Sequence, residues 1–250
     1  MKIDFTNKTA LITGATRGIG KAIADCLLDS GANLILTGTK QTEIDRLNNE
    51  NQAKRIKTIE YIQADFSDLD STNQFLAKLK TFERIDICIN NAGVNKVADF
   101  VDTTENDFNW INDINLNVPC RILKIVGPKM IANQYGRVVN IASIWSVITR
   151  PGRSIYTTTK NALVGLTKTL AVEWASDNVL VNAVSPGFTL TELTKTTNTK
   201  DEIAQIENFI PMQRMADPTE IARVVAFLCS DLNTYLTGQN ITIDGGYTNV

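Results

Sequence analysis

The stretch Thr13-Gly14-Ala15-Thr16-Arg17-Gly18-Ile19-Gly20 constrains this chain more than any other, because it joins a short apolar run, residues 8–13, directly to an amphipathic run, residues 21–30. A strand, a glycine-rich turn and a helix in immediate succession form the anatomy of a phosphate cradle. Glycines let the backbone approach a ligand closely, and a helix start offers unpaired N–H groups with a partial positive charge. The spacing is G-x-x-x-G-x-G. It departs from the G-x-G-x-x-G fingerprint and lacks the Gly-Lys-Ser/Thr of a P-loop, which argues against a nucleotide hydrolase. Taken alone, such a segment is equally a plain turn.

The alternation continues to the end of the chain. Apolar strands are expected over 33–37, 58–63, 85–89, 136–142, 179–184 and 239–243, separated by helical patterns over 42–52 and 71–82, a long one over 107–132, and one from Tyr156 to about 176. The long segment is interrupted by Asn115-Leu116-Asn117 and carries Pro119 and Pro128; asparagine is a poor helix former. Asp217-Pro218 reads as an N-cap followed by proline at the first helical position. No repeat, low-complexity tract or linker divides the chain. The expected fold is α/β: a single domain with a seven-stranded, doubly wound parallel sheet and helices on both faces.

Composition narrows the function classes. With 250 residues and 43% hydrophobic content the chain can bury a large core, and a net charge of −2 without basic clusters argues against nucleic acid. No stretch approaches 18 apolar residues, and residues 1–8 hold no apolar core of signal-peptide length, so the expectation is a cytoplasmic protein with no membrane partner. The four cysteines lie far apart, as expected of isolated thiols in a reducing compartment. Histidine is absent, which excludes a Ser-His-Asp triad and every histidine-containing zinc site; no metal is expected.

Several polar positions fall at expected strand ends, where open α/β sheets bind ligands. After the second strand, the position where an acid would read an adenosine 2′-hydroxyl holds Thr37-Gly38-Thr39-Lys40 instead. With Arg17 in the glycine turn, this suits a 2′-phosphate, so NADP(H) is favoured over NAD(H); the plainer alternative is a lysine at a strand end and a solvated arginine. Asp65 and Phe66 follow the third strand, Asn91-Ala92-Gly93 the fourth, Ser143 the fifth, and Pro186-Gly187 with Thr189 and Thr191 the sixth. Residues 188–212 are rich in threonine and lysine and form the best lid candidate.

Tyr156 and Lys160 stand four apart and share a helix face. Holding a phenol ionised near neutrality requires roughly 3 pH units, or about 4 kcal/mol, and one ammonium at about 4 Å in a partly desolvated cleft supplies about that much. Tyr156 is thereby a candidate general acid/base. The alternative is a half-buried ring beside a solvated amine.

Together, Thr13-Gly14-x-x-x-Gly18-x-Gly20, Asp65, Asn90-Asn91-Ala92-Gly93, Asn115, Ser143, Tyr156-x-x-x-Lys160 and Pro186-Gly187 resemble the classical short-chain dehydrogenase/reductase family along essentially the whole chain. The resemblance implies a Rossmann-type fold, a nicotinamide dinucleotide cofactor and hydride exchange between a carbonyl and a secondary alcohol. It implies that Gly14, Thr16, Arg17, Gly18, Ile19 and Gly20 cradle the pyrophosphate, with Thr37, Thr39 and Lys40 near the adenosine ribose. Asp65 and Phe66 would meet the adenine, and Asn91, Ala92 and Gly93 would support the adenosine half. Pro186, Gly187, Thr189 and Thr191 would contact the nicotinamide end. Ser143 would hydrogen-bond the substrate carbonyl, Tyr156 would donate the proton, and Lys160 would bind the nicotinamide ribose and depress the Tyr156 pKa. Asn115 would hold a water that links Lys160 to solvent.

Within the family the chain looks most like the 3-oxoacyl-acyl carrier protein reductases, which implies a thioester-linked carbonyl substrate and a role in fatty acid biosynthesis. It lacks that subgroup's basic residues before strand five and after the Tyr156 helix, where it has Asn133-Gln134-Tyr135 and Ser176-Asp177-Asn178. A sugar, polyol or other small-ketone substrate is the alternative, and a catalytically silent nucleotide-binding regulator is the reading from another class. A polar lid with Trp145 near Ser143 favours short or hydroxylated substrates over long acyl chains. The family resemblance also implies a homotetramer, with 162–166 and 241–243 as candidate contacts.

Overall fold

In the computed structural model, which describes residues 2–55 and 58–250, continuous apolar runs become the strands of one parallel sheet. They are β1 (Thr9–Ile12), β2 (Asn33–Gly38), β3 (Ile59–Gln63), β4 (Ile87–Asn90), β5 (Gly136–Ile141), β6 (Val179–Pro186) and β7 (Asn240–Ile243). Their order is β3-β2-β1-β4-β5-β6-β7, and every neighbouring pair is parallel. Strands read as unbroken apolar runs because both faces of the sheet are covered.

Side chains alternate between those faces. Ala10 and Ile12 of β1 and Ile87 and Ile89 of β4 join one core with α1 (Gly18–Asp29) and α9 (Pro218–Cys229). Leu11 and Cys88, the intervening residues, join a second core on the opposite face with α3 (Leu69–Thr81), α5 (Val118–Ala132) and α6 (Ser154–Trp174). The shorter α2 (Gln41–Ala53) buries Ile44 and fixes the β3 edge through Asn48, which pairs with both backbone groups of Tyr61. The expected doubly wound sheet with helices on both faces is the observed one.

The long helical segment is refined rather than broken. α4 (Glu105–Asn112) runs into a single π-helical turn, Asp113–Asn117, and then into α5, with Pro119 in the first turn and Pro128 inside the helix. The asparagines that suggested an interruption occupy this turn, a form that is rare and concentrates at functional sites. At the other end of the chain the expected cap of α9 is present as a full capping box between Asp217 and Glu220.

The strand order reverses between β1 and β4. The C-terminal ends of those two strands therefore open a crevice, the place where ligands of such sheets bind.

Candidate active site

The crevice is built by a clamp between the turns that follow β1 and β4. Thr13 Oγ1 accepts from the backbone N–H groups of Asn91 and Ala92, each at 3.0 Å. In return Asn91 Nδ2 donates to the carbonyls of Thr13 and Gly14 at 2.9 and 3.0 Å. Thr37 Oγ1 accepts from Gly14 N at 3.0 Å, so the hydroxyl expected near a ribose also holds the glycine turn. Gly14 itself has φ +63°, in the region where a side chain is strained. Gly20 leaves no room for a side chain: an added Cβ would lie 2.3 Å from Gly14 O and 2.4 Å from Asn91 Nδ2. The helix starts at Gly18, three residues earlier than the amphipathic pattern suggests, because the turn residues themselves supply its first turn.

Beside this turn lies a cleft of about 560 Å³ lined by Gly14, Thr16, Arg17, Thr37, Thr39, Lys40, Phe66 and Ala92, all singled out by the sequence. The same cleft has Thr42, Glu43 and Arg46 on its wall, which sequence reasoning missed. These three lie in the first turns of α2, one and two turns beyond Lys40, and helical spacing from that lysine could have indicated them. Arg17, Lys40 and Arg46 outnumber the one acid, Glu43. Asp65 is turned aside, its Oδ1 accepting from Ser67 N and Ser67 Oγ, while its neighbours Ala64 and Phe66 face the cleft.

A second group of side chains meets at the ends of β4 and β5. Lys160 is buried and donates to the Ile141 carbonyl at 2.8 Å, and a Cβ on Gly93 would lie 3.4 Å from its Nζ and 3.3 Å from Asn115 Oδ1. Asn115, in the π turn, accepts from Val94 N at 2.8 Å and donates to Val94 O at 2.9 Å and to Thr159 Oγ1 at 3.3 Å. Its carboxamide thus fixes the chain after Gly93. Ser143 Oγ accepts from Trp145 N at 3.3 Å, and the Tyr156 phenol lies beside that serine.

The sequence expectation that Lys160 lowers the Tyr156 pKa is not what the geometry gives. Burial pushes the Tyr156 phenol above its ordinary value, and the groups that pull it back are the Ser143 hydroxyl and the Arg153 guanidinium. Lys160 Nζ stands 5.6 Å from the Tyr156 ring centroid, is engaged by the Ile141 carbonyl, and is itself brought down by burial to about 8. Burial thus disfavours charge on both groups, and the ammonium is engaged by a carbonyl rather than by the phenol.

The remaining predicted positions lie along the same edge. Pro186 ends β6, Thr189 Oγ1 donates to Gly187 O at 3.1 Å, and Thr191 comes within 3.5 Å of where a Cβ on Gly18 would sit. The residues after β6 therefore close back onto the glycine turn. The segment expected to be a lid contains α7 (Glu192–Thr197) and α8 (Lys200–Asn208). Its threonines are engaged within it. Thr191 and Thr199 cap the two helices, while Thr194, Thr196 and Thr197 donate to carbonyls one turn back. Beside its exposed charged side chains, among them Glu192, Lys195, Lys200 and Asp201, the segment also exposes three apolar ones: Leu193, Phe209 and Met212.

A family model described as Enoyl-(Acyl carrier protein) reductase matches residues 14–248. The chain belongs to the short-chain dehydrogenase/reductase family. Its curated relatives in that family include Oxidoreductase UcpA of Salmonella typhimurium, 40% identical over 98% of this chain and 95% of that one. They also include the 3-oxoacyl-[acyl-carrier-protein] reductase FabG of Aquifex aeolicus, 37% identical over 98% and 99%. Among solved structures, a candidate NAD(P) dependent gluconate 5-dehydrogenase from Beutenbergia cavernae, recorded with bound NADP, superposes with a TM-score of 0.90 at 32% identity, over 99% of both chains. As a short-chain dehydrogenase/reductase, this chain is an NAD(P)-dependent oxidoreductase acting on a small molecule. Among the described residues no helix is long and apolar enough to cross a membrane, and no cluster of potential metal ligands occurs.

The residues present fit a dinucleotide. A helix begins in the glycine turn at Gly18, and the adjoining cleft, lined by Gly14 and Thr16 of that turn, carries three cations.

The buried ammonium has a measurable consequence. Lys160 has a folded pKa of about 8 against an ordinary 10.5, so between those values the unfolded chain binds the extra proton. Stability from this group therefore rises with pH across that window and is lowest below it. Lys160→Met should stabilise the fold at pH 7 by on the order of 2 kcal/mol, with the gap closing by pH 10, as read by urea unfolding. A variant less stable than the parent at both pH values would contradict this assignment.

Proposed function

We propose that this family member interconverts a small polar ketone and its secondary alcohol with a preference for NADP(H), using Ser143, Tyr156, Lys160 and Asn115. The observation that carries the reading is the convergence of Ser143, Tyr156 and Lys160 at the end of β5, two strands from the glycine turn that follows β1. A nicotinamide bound along this edge supplies or accepts the hydride. Reduction builds negative charge on the carbonyl oxygen, and the Ser143 hydroxyl and Tyr156 phenol are the two donors aimed at one place. Tyr156 holds its proton firmly, since burial keeps the phenol neutral, and releases it to an oxygen that becomes strongly basic. Lys160 in its ammonium form, which burial disfavours, is placed to return a proton to that site and is recharged from solvent. Asn115 fixes Val94, and with it the backbone that separates Lys160 from the crevice.

Two observations bear on the substrate. The relative named for gluconate 5-dehydrogenation supports a hydroxylated ketone or its acid. A short 3-oxoacyl thioester is the second reading, supported by the FabG relative and by the exposed Leu193, Phe209 and Met212 on the segment 188–212, which is the lid in either case. Free thiols at all four cysteines go with a cytoplasmic site of action.

Tyr156→Phe removes the acid and keeps the ring. Turnover should fall at least ~100-fold while NADP(H) affinity stays within a few-fold, measured by steady-state assay and calorimetry. Near-normal turnover would sink the mechanism.

The cofactor preference rests on Arg17, Lys40 and Arg46 around the cleft. NADPH should bind at least ~10-fold more tightly than NADH, and Arg17→Ala should narrow that ratio. Equal affinities in the parent protein would reject the preference.

Assembly follows from what the helices leave uncovered. Leu163, expected at a subunit contact, is buried in the chain itself, but Val172 on the same helix is 82% exposed, Tyr235 97%, and the edge strand β7 is half-buried throughout. Such surface suits a symmetric homo-oligomer, and the tetramer is the form expected. Light scattering at micromolar concentration should return about four times the 27.6 kDa chain mass; a monomer would refute it.

A further inference from the structure

The short loop between β5 and α6 carries a feature that the chemistry above does not use. Trp145 is buried just after Ser143, and two guanidinium groups stand over its ring: Arg150 Cζ at 5.3 Å and Arg153 Cζ at 5.6 Å from the centroid. The loop that presents them is anchored at three points. Asn161 Nδ2 donates to Trp145 O at 3.4 Å, Ala98 N donates to Gly152 O at 3.2 Å, and Thr157 N donates to Arg153 O at 2.8 Å. Trp145 also stacks edge-on against Phe188, at 6.4 Å, and Phe188 against Tyr247, at 5.2 Å. The indole is therefore a fixed wall, and one of the two cations, Arg153, is held within electrostatic reach of the Tyr156 phenol.

That arrangement is electrostatically incomplete. Arg153 is half-buried, its Nε is shut off from solvent, and no hydrogen-bond acceptor meets that atom among the described residues. Burial first, then the like charge of Arg150, disfavour the guanidinium; the Tyr156 phenol is the one group found to favour it among the described residues. Neither arginine takes part in an ion pair among the described residues, where seven other cationic side chains do. Two guanidiniums on one indole, one with a buried unpartnered donor, repel each other unless an anion bridges them. A planar fork of donors beside an aromatic wall is what carboxylate and phosphate oxygens bind best.

We propose that Arg150 and Arg153, mounted on Trp145, form an anion-binding subsite next to Tyr156, so that the substrate carries a carboxylate or phosphate group a short distance from the reacting carbon. The inference deepens the carbonyl–alcohol reading and depends on it for the identity of the reacting group. It also gives Arg153 a double position: it holds the substrate's anionic end and lies within electrostatic reach of the proton donor.

Binding and turnover test it separately. Calorimetry with and without NADP+ would compare hydroxy acids of three to six carbons with the polyols of the same length and with their terminal phosphate monoesters, at matched ionic strength. At least one acid or phosphate ester should bind at least ~10-fold more tightly than its neutral counterpart, and which of the two does so identifies the anion. Arg150→Gln and Arg153→Gln should each reduce that preference at least ~10-fold, while Arg150→Lys, which keeps charge without the fork, should restore part of it. Arg150 is exposed, so its variants test the subsite without loss of the fold. Acids and phosphate esters both bound no better than polyols, or a preference untouched by both substitutions, would overturn the proposal. Anion binding that the arginine variants abolish, in a protein that turns over none of the corresponding ketones or alcohols, would uphold the subsite and reject the carbonyl reading. Turnover of neutral ketones with no preference for acids would do the reverse.

Discussion

Four hydrogen bonds between the ends of β1 and β4 hold the whole crevice together. Thr13 Oγ1 takes two backbone donors from the far turn, and Asn91 Nδ2 gives two donors to the near one. Parallel strands meet side by side only along their ladders, so the turns beyond them would otherwise splay into solvent. The clamp brings them within contact, and it does so only because Gly20 has no side chain to place between Gly14 O and Asn91. Everything else at the edge is referenced to this junction: the cleft beside Thr37, the Gly93 backbone over Lys160, and Thr191 closing on Gly18.

The second constraint is desolvation at the end of β5. Packing Lys160 under Gly93 brings its pKa to about 8, and packing Tyr156 beside Ser143 moves the phenol the other way. Each shift disfavours charge, so the buried pair by itself tends toward a neutral phenol and a partly neutral amine. A neutral phenol can give a proton, and an ammonium whose charge burial disfavours gives one up more readily. The cation that opposes the phenol's shift comes from Arg153, outside the Tyr-x-x-x-Lys motif, which moves part of the electrostatic control from the helix face to the loop before it.

The sequence discloses what depends on local pattern. Seven strands were legible because both faces of the sheet are buried, which writes each one as an unbroken apolar run. The glycine turn and the Asp217 cap were legible because their residue types have few other uses. Positions set by tertiary packing were not. Leu163 has the spacing of an interface residue, yet the rotation of α6 turns it inward and leaves Val172 outside. The electrostatics between Tyr156 and Lys160 could not be read from their separation, because the Ile141 carbonyl that engages the ammonium belongs to another element. Arg150 and Arg153 carry no sequence signal at all beyond a Pro-Gly turn, since only the fold sets both over Trp145.

The lid threonines show why that last point bears on specificity. A segment rich in threonine and lysine reads as a polar surface offered to a ligand. In the structure those hydroxyls close the short helices α7 and α8 on themselves, through two caps and a series of bonds to carbonyls one turn back. A hydroxyl that completes a helix end has little left for a substrate, and the same segment exposes Leu193, Phe209 and Met212 among its charged side chains. On our proposal polar discrimination then falls to the guanidinium groups over Trp145, of which Arg150 is exposed and in no ion pair among the described residues. The segment after β6, on our proposal, would cover the substrate, while the loop after β5 would select it.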